Sequence, residues 1–313
     1  MMTLQTKEQI FPLDHSPTPE CHAATIAQFE GALYAAWFGG TKEGHSDVDI
    51  WLSMRDGDTW TKPMCMAGGS TPYWNPVLFP FGDSLFLYFK KGKKIPRWYT
   101  CYRVLRHGEW SALRSLVPGD HGGRGPVKNK PVLLHNGTIC APASLELADE
   151  PTTGQRWRSF VDMSSDGLSW QAQQSIPADV NLIQPTLWES DAGLHALLRS
   201  DAGAIYRSDS TDGGRGWCKA YATSLPNNNS GIDATYRDGK LYVIYNPVSK
   251  NWGPRTPLVV SMSEDNGATW CETIPLEDAP GEYSYPAIIA ADGALLVVYT
   301  HKRKGIAYVK LAI

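Results

Sequence analysis

The sequence lacks both a strongly basic segment and a long apolar run. Its 313 residues carry 29 Lys and Arg against 32 Asp and Glu, and the only cationic clusters are Lys90–Lys94 and Lys302–Lys304. Proteins that grip a phosphate backbone need a concentrated basic surface, so nucleic acid is not an expected partner. No segment approaches the ~20 apolar residues that span a bilayer, so no membrane role is expected either.

A secretion leader and a cysteine pattern are also missing. Met1–Pro12 has neither the charged start nor the apolar run of a signal peptide, which predicts a cytoplasmic protein. The six cysteines lie between 30 and 80 residues apart and include no C-x-x-C pair. We therefore expect neither a zinc site nor a disulfide framework, and we interpret the thiols as small buried hydrophobes.

A short motif with the pattern S-x-D-x-G-x-x-W repeats along the chain. It is intact at Ser210–Trp217 and Ser263–Trp270, one residue shorter at Ser164–Trp170, and decayed in copies that end at Trp60 and Trp110. The five tryptophans are 50, 60, 47 and 53 residues apart. A period of about 50 residues is typical of β-propellers.

The residue types of the motif suit a turn between two strands. Asp and Ser bond to their own backbone, Gly supplies a positive φ, and Trp buries a large ring between units. Six hairpins with Gly, Asn or Asp turns are predicted between the motifs. They are Ile26–Phe38, Val77–Phe89, Val132–Pro142, Thr186–Leu198, Ala234–Tyr245 and Ala287–Tyr299.

These repeats predict an all-β fold. No 3.6-residue apolar period persists over ten residues, so helix content should be low. We predict one domain over residues 1–313, a six-bladed β-propeller with four-stranded antiparallel blades. The sixth unit ends after the predicted strand Ile306–Leu311, and an N-terminal strand near Lys7–Leu13 is expected to close the ring. A β-sandwich is disfavoured by the fixed period.

The first strand of each blade lines the central channel of a propeller, and polar residues precede or begin each of these strands. Converging on one axis, they predict a ligand site at one rim. They are His22; Trp74 with Asn75; Lys128, Asn129 and Lys130; Gln184; Asp233; and Tyr283 with Tyr285. Arg199 ends the apolar run Leu194–Leu198, so it should be partly buried and require a carboxylate from protein or ligand.

The tryptophan motifs resemble the Asp-box (BNR) repeats of the sialidase (neuraminidase) superfamily, and the similarity extends from about His22 to Ile313. Members bind the substrate carboxylate with three arginines, attack with a tyrosine paired to a glutamate, and take an acid/base aspartate from a loop of blade 1. The resemblance places the second arginine at Arg199, the third at Arg255 and the nucleophile at Tyr283. The acid/base loop corresponds to Gly39–Asp49, which offers Glu43, Asp47 and Asp49.

Two positions depart from the family pattern. His22 stands where the first arginine is expected, and Gln184 stands where the glutamate partner of the tyrosine is expected. Asp233 or Glu282 would then take over as base. Alternatively, Lys128 and Lys130 would favour the phenolate by direct charge.

These residues favour an exo-acting glycoside hydrolase that removes a terminal acidic sugar, either a sialic acid or a related keto-sugar or uronic acid. Asp47 or Glu43 would protonate the leaving oxygen, Arg199 and Arg255 would bind the carboxylate, and Trp74, with Trp37 or Trp98, would stack on the sugar. The scheme requires no metal or cofactor. Two alternatives remain: a polysaccharide lyase that uses His22 and Tyr283 on a uronate, and a carbohydrate-binding propeller without catalysis.

Overall fold

Strands make up nearly all the regular structure. A computed structural model describes residues 1–120, 123–147 and 156–313. In that part of the chain, 26 β-strands form six antiparallel sheets, and the only helical segments are single 3-10 turns at Leu13–His15 and Ile95–Arg97. The predicted six-bladed, helix-poor propeller is thus confirmed.

Each sheet is one blade, and the strands follow one another from the channel outwards. Strand β1 (Thr3–Gln9) belongs to the last blade. Blade 1 contains β2 (Glu20–Phe29), β3 (Ala32–Gly40), β4 (Asp49–Asp56), β5 (Thr59–Trp60) and β6 (Met64–Ala67). Blade 2 contains β7 (Tyr73–Phe81), β8 (Ser84–Lys91), β9 (Tyr99–Arg106), β10 (Glu109–Trp110) and β11 (Arg114–Ser115). Blade 3 contains β12 (Val132–Leu133), β13 (Ile139–Glu146), β14 (Trp157–Ser164) and β15 (Gln171–Ser175).

The second half of the chain continues the pattern. Blade 4 contains β16 (Leu182–Ser190), β17 (Gly193–Ser200), β18 (Ala204–Ser210) and β19 (Tyr221–Pro226). Blade 5 contains β20 (Asp233–Arg237), β21 (Lys240–Tyr245), β22 (Leu258–Ser263) and β23 (Glu272–Glu277). Blade 6 contains β24 (Tyr283–Ala291), β25 (Ala294–His301) and β26 (Gly305–Ala312), with β1 as its outer strand.

The N-terminal strand closes the ring, as predicted, but it lies earlier in the chain than predicted. β1 pairs with β26 from Thr3 opposite Ala312 to Gln9 opposite Ala307. The expected strand near Lys7–Leu13 is wrong in its second half, because Leu13 lies in a 3-10 turn. Pro12 before that turn lacks the backbone N–H that a strand needs for its ladder.

The repeated motifs are turns stapled by their own side chains. In the copy that ends at Trp217, the Gly214 N–H donates to Ser210 Oγ (2.8 Å) and the Gly216 N–H to Asp212 Oδ1 (2.8 Å). The Trp217 indole N–H donates to the Gly214 carbonyl (3.1 Å). Two copies place the tryptophan against a neighbouring blade: Trp170 lies 6.1 Å from the Tyr88 ring and Trp60 lies 5.4 Å from the Tyr308 ring. The period of the sequence is therefore the period of the packing.

Hydrophobic side chains fill the six spaces between adjacent blades. Between blades 5 and 6, for example, Ile244 and Val260 pack with Leu295 and Val297, all fully buried. Burying such a side chain contributes roughly 1.5–3 kcal/mol. These six inter-blade cores hold the inner strands in a fixed ring, so that the residues at their rim ends keep fixed positions.

A β-bulge near the rim end of the inner strand recurs in four blades. The pairing shifts between His22 and Thr25, Trp74 and Val77, Ile183 and Thr186, and Ser284 and Ala287. Each bulge holds a non-glycine residue with positive φ: Ala23 (54°), Asn75 (43°), Gln184 (52°) and Tyr285 (49°). Such backbone costs about 1–3 kcal/mol and re-aims a side chain, which is why it concentrates at functional sites.

The sequence led us to expect no membrane-spanning segment, no metal site and no disulfide framework. In the part of the chain that the structure describes, no helix is long and apolar enough to cross a membrane, and no group of three or more His, Cys, Asp or Glu side chains is placed to hold a metal. All six cysteines are free thiols. Their interpretation as buried hydrophobes holds for Cys21, Cys101 and Cys140 only, because the other three are exposed.

Candidate functional site

The phenol of Tyr285 lies at the rim of the channel under an arginine. Arg199 Nη1 donates to Tyr285 Oη (2.7 Å) and to Gln184 Oε1 (3.1 Å), and its Nε donates to Asn229 Oδ1 (2.8 Å). Arg199 is only 4% exposed, and its partners here are neutral oxygens. A buried guanidinium with neutral partners still attracts an anion. Gln184 therefore orients the arginine.

Two more arginines complete the cationic rim. The Arg255 guanidinium carbon lies 5.4 Å from the centre of the Tyr285 ring, and its Nη1 donates to Glu282 Oε1 (2.6 Å). Arg303 Nε donates to both oxygens of Glu282 (3.0 and 3.1 Å), while its Nη1 donates to Glu43. Burial opposes ionisation of Glu282, but the bonds and charges of Arg303 and Arg255 outweigh it and lower its pKa. Arg255 and Arg303 are thus held by two carboxylates, Glu282 and Glu43, while the hydrogen-bond partners of Arg199 are neutral.

His22 completes this group as a neutral imidazole. Its ring centre lies 4.3 Å from that of Tyr285, and its Nδ1 has no hydrogen-bond partner among the described residues. Burial, followed by the positive charges of Arg303, Arg255, Arg199 and Lys128, lowers its pKa well below the ordinary value of 6.5. A neutral imidazole beside a phenol can act as a base or a proton relay, but it carries no positive charge with which to bind a carboxylate.

The burial of His22 makes the free energy of unfolding depend on pH. Because the pKa of His22 is lower in the folded than in the unfolded protein, the unfolded protein binds the proton first as the pH falls. The free energy of unfolding is therefore highest above the unfolded pKa of about 6.5 and declines below it. One uncompensated proton costs about 1.4 kcal/mol per pH unit. We expect the free energy of unfolding to fall by about 2 kcal/mol more in the native protein than in His22→Gln between about pH 6.5 and about pH 5. Urea titrations at both pH values measure it, and parallel declines would contradict the assignment.

Lys128 and Asn129 lie below the rim and tie four blades together. Lys128 Nζ donates to the carbonyls of Ile232 (2.6 Å) and Pro286 (2.5 Å) and to Asn129 Oδ1 (2.8 Å). Asn129 Nδ2 donates to the carbonyls of Gln184 and Pro185 (3.1 and 2.9 Å). Burial, opposed by Asp233, lowers the pKa of Lys128 to about 7. We predicted both residues as substrate contacts, but their donors are used within the protein.

Asp233 and Lys130 make further hydrogen bonds between the blades. Asp233 accepts from Lys130 Nζ (2.8 Å), the Thr186 hydroxyl (2.7 Å) and the backbone N–H groups of Ala234 and Ile288 (both 2.9 Å). Lys130 also donates to the Ala234 carbonyl (2.8 Å). We proposed Asp233 as a base, but three of its four partners, Lys130, Thr186 and Ile288, belong to other blades, so we expect its role to be structural.

Removing the Asp233 carboxylate should therefore cost stability. Asp233→Ala removes the carboxylate partner of Lys130 and the acceptor of the Ile288 N–H and the Thr186 hydroxyl, and we expect a loss of about 3–5 kcal/mol in the free energy of unfolding. Asp179→Ala, which removes an exposed partner of Lys219, should cost less than about 1 kcal/mol. Urea unfolding of both variants tests this, and a stable but inactive Asp233→Ala would support the base role instead.

The bulge separates the two tyrosines of the last inner strand. Tyr283 is 1% exposed and packs in the core between blades 5 and 6, with its ring 5.3 Å from that of His301. Strict alternation would send Tyr283 and Tyr285 to the same face. Because the bulge falls after Ser284, only Tyr285 turns to the rim. The structure therefore does not bring Tyr283, our predicted nucleophile, to the arginines.

The blade-1 loop contributes one of its carboxylates to the rim. Glu43 binds Arg303 and is 38% exposed. Asp47 is exposed and accepts from the Thr41 hydroxyl and backbone N–H, and these bonds, the hydroxyl first, lower its pKa. A carboxylate so easily ionised is a poor proton donor near neutral pH. Asp49 accepts from the Gly69 N–H (3.2 Å) and makes no hydrogen bond or ion pair with the three arginines.

A third carboxyl reaches the site from blade 3. Glu146 lies opposite Trp157 in the strand pair and is hydrogen-bonded to it, and the Arg199 guanidinium carbon lies 5.5 Å from the Trp157 ring centre. Burial, with repulsion from Glu43, raises the pKa of Glu146 against the pull of Arg199. A carboxyl that keeps its proton to higher pH is suited to donate one.

The tryptophans predicted to stack on a sugar are core residues. Trp74 is 7% exposed, packs against Phe38 and Trp98 and donates to the Gly92 carbonyl (3.0 Å). Trp37 and Trp98 are 0% and 3% exposed, so none of the three offers a free face. Asn75 lies in the bulge and is 6% exposed, and its side chain makes no hydrogen bond to another described residue, so it remains a candidate substrate contact.

Sequence analysis missed three parts of the site. Arg303 lies in the turn between β25 and β26 with a φ of 55°, and its only sequence sign was the basic cluster Lys302–Lys304. Asn229 was visible as the end of an Asn-Asn-Asn run, and Glu146 as a carboxylate at the end of a predicted hairpin. Their convergence depends on ring closure, which no local pattern shows.

Comparison with known proteins agrees with this architecture. The BNR repeat-like domain family matches residues 31–298. A Dyadobacter fermentans protein of unknown function is 15% identical with a TM-score of 0.79, and the alignment covers 100% of this chain and 99% of that one. The Hadza microbial sialidase Hz136 is 15% identical with a TM-score of 0.78, covering 98% of this chain and 68% of that one.

Trypanosoma rangeli sialidase has the same fold at 15% identity and a TM-score of 0.72. The alignment covers 93% of this chain but 54% of the trypanosomal one, so this chain spans about half of that protein. No curated protein sequence matches. At these identities the structural likenesses show the fold alone.

Proposed function

We propose that this chain, which belongs to the BNR repeat-like domain family and is a sialidase-like propeller, removes a terminal acidic sugar from a glycan by hydrolysis. The observation that carries the proposal is a cluster of three guanidinium groups at the channel rim: Arg199 and Arg255 lie against Tyr285, and Arg303 shares Glu282 with Arg255. Such a group binds a carboxylate on a ring that rests against the phenol. The sialidase neighbours, one of them solved with sialic acid, support the same substrate class.

The carboxylate of the sugar would meet Arg199, Arg255 and Arg303. Arg199 presents a guanidinium whose protein partners are neutral, and Arg255 and Arg303 share Glu282 between them. Glu282 therefore orients both guanidinium groups, and its single negative charge neutralises only one of their two positive charges. In this arrangement Arg303, from blade 6, takes the place that the first arginine of the family would occupy in blade 1.

Tyr285 would attack, or stabilise charge at, the anomeric carbon. A tyrosine suits an anionic sugar because a carboxylate nucleophile would be repelled by the substrate. Arg199 donates to the phenol oxygen and stabilises negative charge on it, a task that the expected glutamate would share. Glu146, whose pKa is raised by burial, would protonate the leaving oxygen, with Glu43, the partner of Arg303, as the alternative donor.

A uronate lyase is the second candidate, and His22 is the observation that favours it. A neutral, buried imidazole next to a tyrosine is suited to take the proton α to a carboxylate that arginines have neutralised. In that reaction Tyr285 would return a proton to the leaving oxygen. Gln184, which is no base, fits the lyase and leaves the hydrolase without the usual partner of its tyrosine.

Product analysis separates the two reactions. The native protein would be treated with a panel of fluorogenic glycosides (a sialoside, a deaminated sialoside and two uronides) and with a polysaccharide whose uronates carry a sugar on O4, because elimination expels the group at that position. Hydrolysis yields a free saturated acid sugar, whereas elimination yields an unsaturated uronate that absorbs in the ultraviolet. Release of a saturated sugar from one acidic glycoside supports the hydrolase. No turnover of any member, together with measurable sugar binding, would replace the proposal with a binding function.

A further inference from the structure

A serine, a histidine and an aspartate form a hydrogen-bonded chain in blade 4, away from the arginine rim. Ser190 lies six residues beyond Gln184 along β16, which places it about 20 Å from the rim. Ser190 Oγ lies 2.8 Å from His195 Nε2, and His195 Nδ1 lies 2.6 Å from Asp209 Oδ1. These distances match those of a nucleophile, its base and the group that orients the base.

The hydrogen bonds fix the tautomer of the imidazole. An ionised carboxylate only accepts hydrogen bonds, so Nδ1 of His195 must carry a proton and donate it in the hydrogen bond to Asp209. Nε2 is then left with its lone pair facing the Ser190 hydroxyl. Burial works against ionisation of Asp209, but bonds from His195, Arg207 and Tyr221 lower its pKa to about 2. The carboxylate therefore stays charged at neutral pH.

Packing holds the imidazole in this orientation. His195 is 3% exposed and stacks on Trp188 with ring centres 5.0 Å apart and planes 28° apart. Arg207 Nε and the Tyr221 hydroxyl both donate to Asp209 (2.8 Å each), so the carboxylate is fixed on three sides. A serine that only capped its turn, as Ser190 does for the Ala192 N–H (3.2 Å), would need none of this support.

A donor for developing negative charge comes from blade 5. Asn266 Nδ2 lies 3.3 Å from Ser190 Oγ and 3.1 Å from His195 Nε2. Its Oδ1 accepts from the Trp188 indole (2.6 Å), which decides which end of the amide faces the serine. A side-chain amide in this position can stabilise an oxyanion. Beside it opens a cavity of about 590 Å³, lined by Ser190, Trp188, Glu189 and Tyr236 among others.

We propose that this cluster is a second active site, a serine esterase for small acyl esters. Ser190 Oγ attacks the ester carbonyl and passes its proton to His195 Nε2, while Asn266 stabilises the oxyanion. The C–O bond to the alcohol breaks and His195 protonates the leaving alkoxide. Water then attacks the acyl-serine, with His195 as base, and releases the carboxylic acid and the free serine. Asp209 acts as a positioning residue for His195.

A fluorophosphonate probe, which labels activated serines, tests the site directly. The native protein and the Tyr285→Phe variant should both be labelled, with the modified peptide containing Ser190. Ser190→Ala and His195→Gln should not be labelled, and their hydrolysis of p-nitrophenyl acetate should fall by at least about 10²-fold. Ser84→Ala is the matched control, because Ser84 lies at a hairpin turn of blade 2 with Asp83 and Arg106 but no imidazole.

Labelling of Ser190 that His195→Gln abolishes establishes the esterase, whatever the rim does with glycosides. If the native protein is labelled no more than Ser190→Ala, and both melt at the same temperature, the cluster is only a strut between blades 4 and 5 and the proposal is wrong. Asp209→Asn gives an independent check, since a positioning role predicts slower labelling with little loss of stability.

Discussion

We expect Tyr285→Phe to lower kcat for an acidic glycoside by about 10³-fold or more, and Tyr283→Phe to change it only a few-fold. The reason is position. Tyr285 receives a hydrogen bond from Arg199 at the rim, whereas Tyr283 lies in the core between blades 5 and 6. Both variants lose one hydroxyl from the same strand, so each is the control for the other.

Steady-state kinetics on the glycoside that the panel identifies measures this effect. Thermal melting would establish that both variants remain folded, since a phenyl ring keeps the packing of either site. If Tyr283→Phe is the inactive variant, the nucleophile lies where the family resemblance placed it, and the bulge after Ser284 opens during catalysis. If neither variant loses activity, tyrosine takes no part in the reaction.

We expect Arg303→Met to raise KM for an acidic glycoside and to lower kcat/KM by about 10²-fold, because the rim loses one of its three guanidinium groups. Three guanidinium groups face Glu282 and Glu43 in the native protein. Without Arg303, Glu282 pairs with Arg255 alone and Glu43 loses its partner, so negative charge that Arg303 had paired remains near the substrate carboxylate.

The next residue along the chain provides the control. Lys304 has the same charge as Arg303, but its Nζ donates to the Pro19 carbonyl (3.0 Å) outside the cluster. Lys304→Met should change kcat/KM by no more than a few-fold, since an exposed charge is screened by salt. Equal losses in both variants would mean that the substrate responds to overall charge and that Arg303 makes no contact with it.

The sequence was sufficient to predict the fold because each blade repeats the same local chemistry. Ser210, Asp212 and Gly214 specify a turn whose hydrogen bonds lie within eight residues, and Trp217 adds the contact to the neighbouring unit. Such short-range hydrogen bonds form in the same way in every copy, because they do not depend on distant parts of the chain. The N-terminal strand was placed less well, because its partner β26 is almost 300 residues away.

The site was predictable only in part. His22, Gln184, Arg199 and Tyr285 were found because each lies at the entry or end of a strand next to the channel. The same rule also selected residues that bind the protein itself, since a polar side chain on the axis is needed equally by ligands and by neighbouring backbone. Lys128 and Asp233 belong to that second group.

Two features of the rim depend on geometry that residue patterns do not encode. A one-residue bulge decides which of Tyr283 and Tyr285 faces the arginines. Ring closure decides that a turn of blade 6 brings Arg303 beside the blade-1 residue Glu43, 260 positions earlier in the chain. The resemblance to sialidases suggested arginines near a tyrosine, but the places of Tyr285 and Arg303 in this cluster come from the fold.

The measurement that tests the account most directly compares an acidic glycoside with the same glycoside after its carboxylate has been reduced to an alcohol. If the arginine rim exists to bind that carboxylate, kcat/KM falls by at least about 10²-fold on reduction, and Arg303→Met no longer matters for the reduced substrate. Equal turnover of the two glycosides would contradict the central claim, because it would show that the three arginines do not bind the sugar.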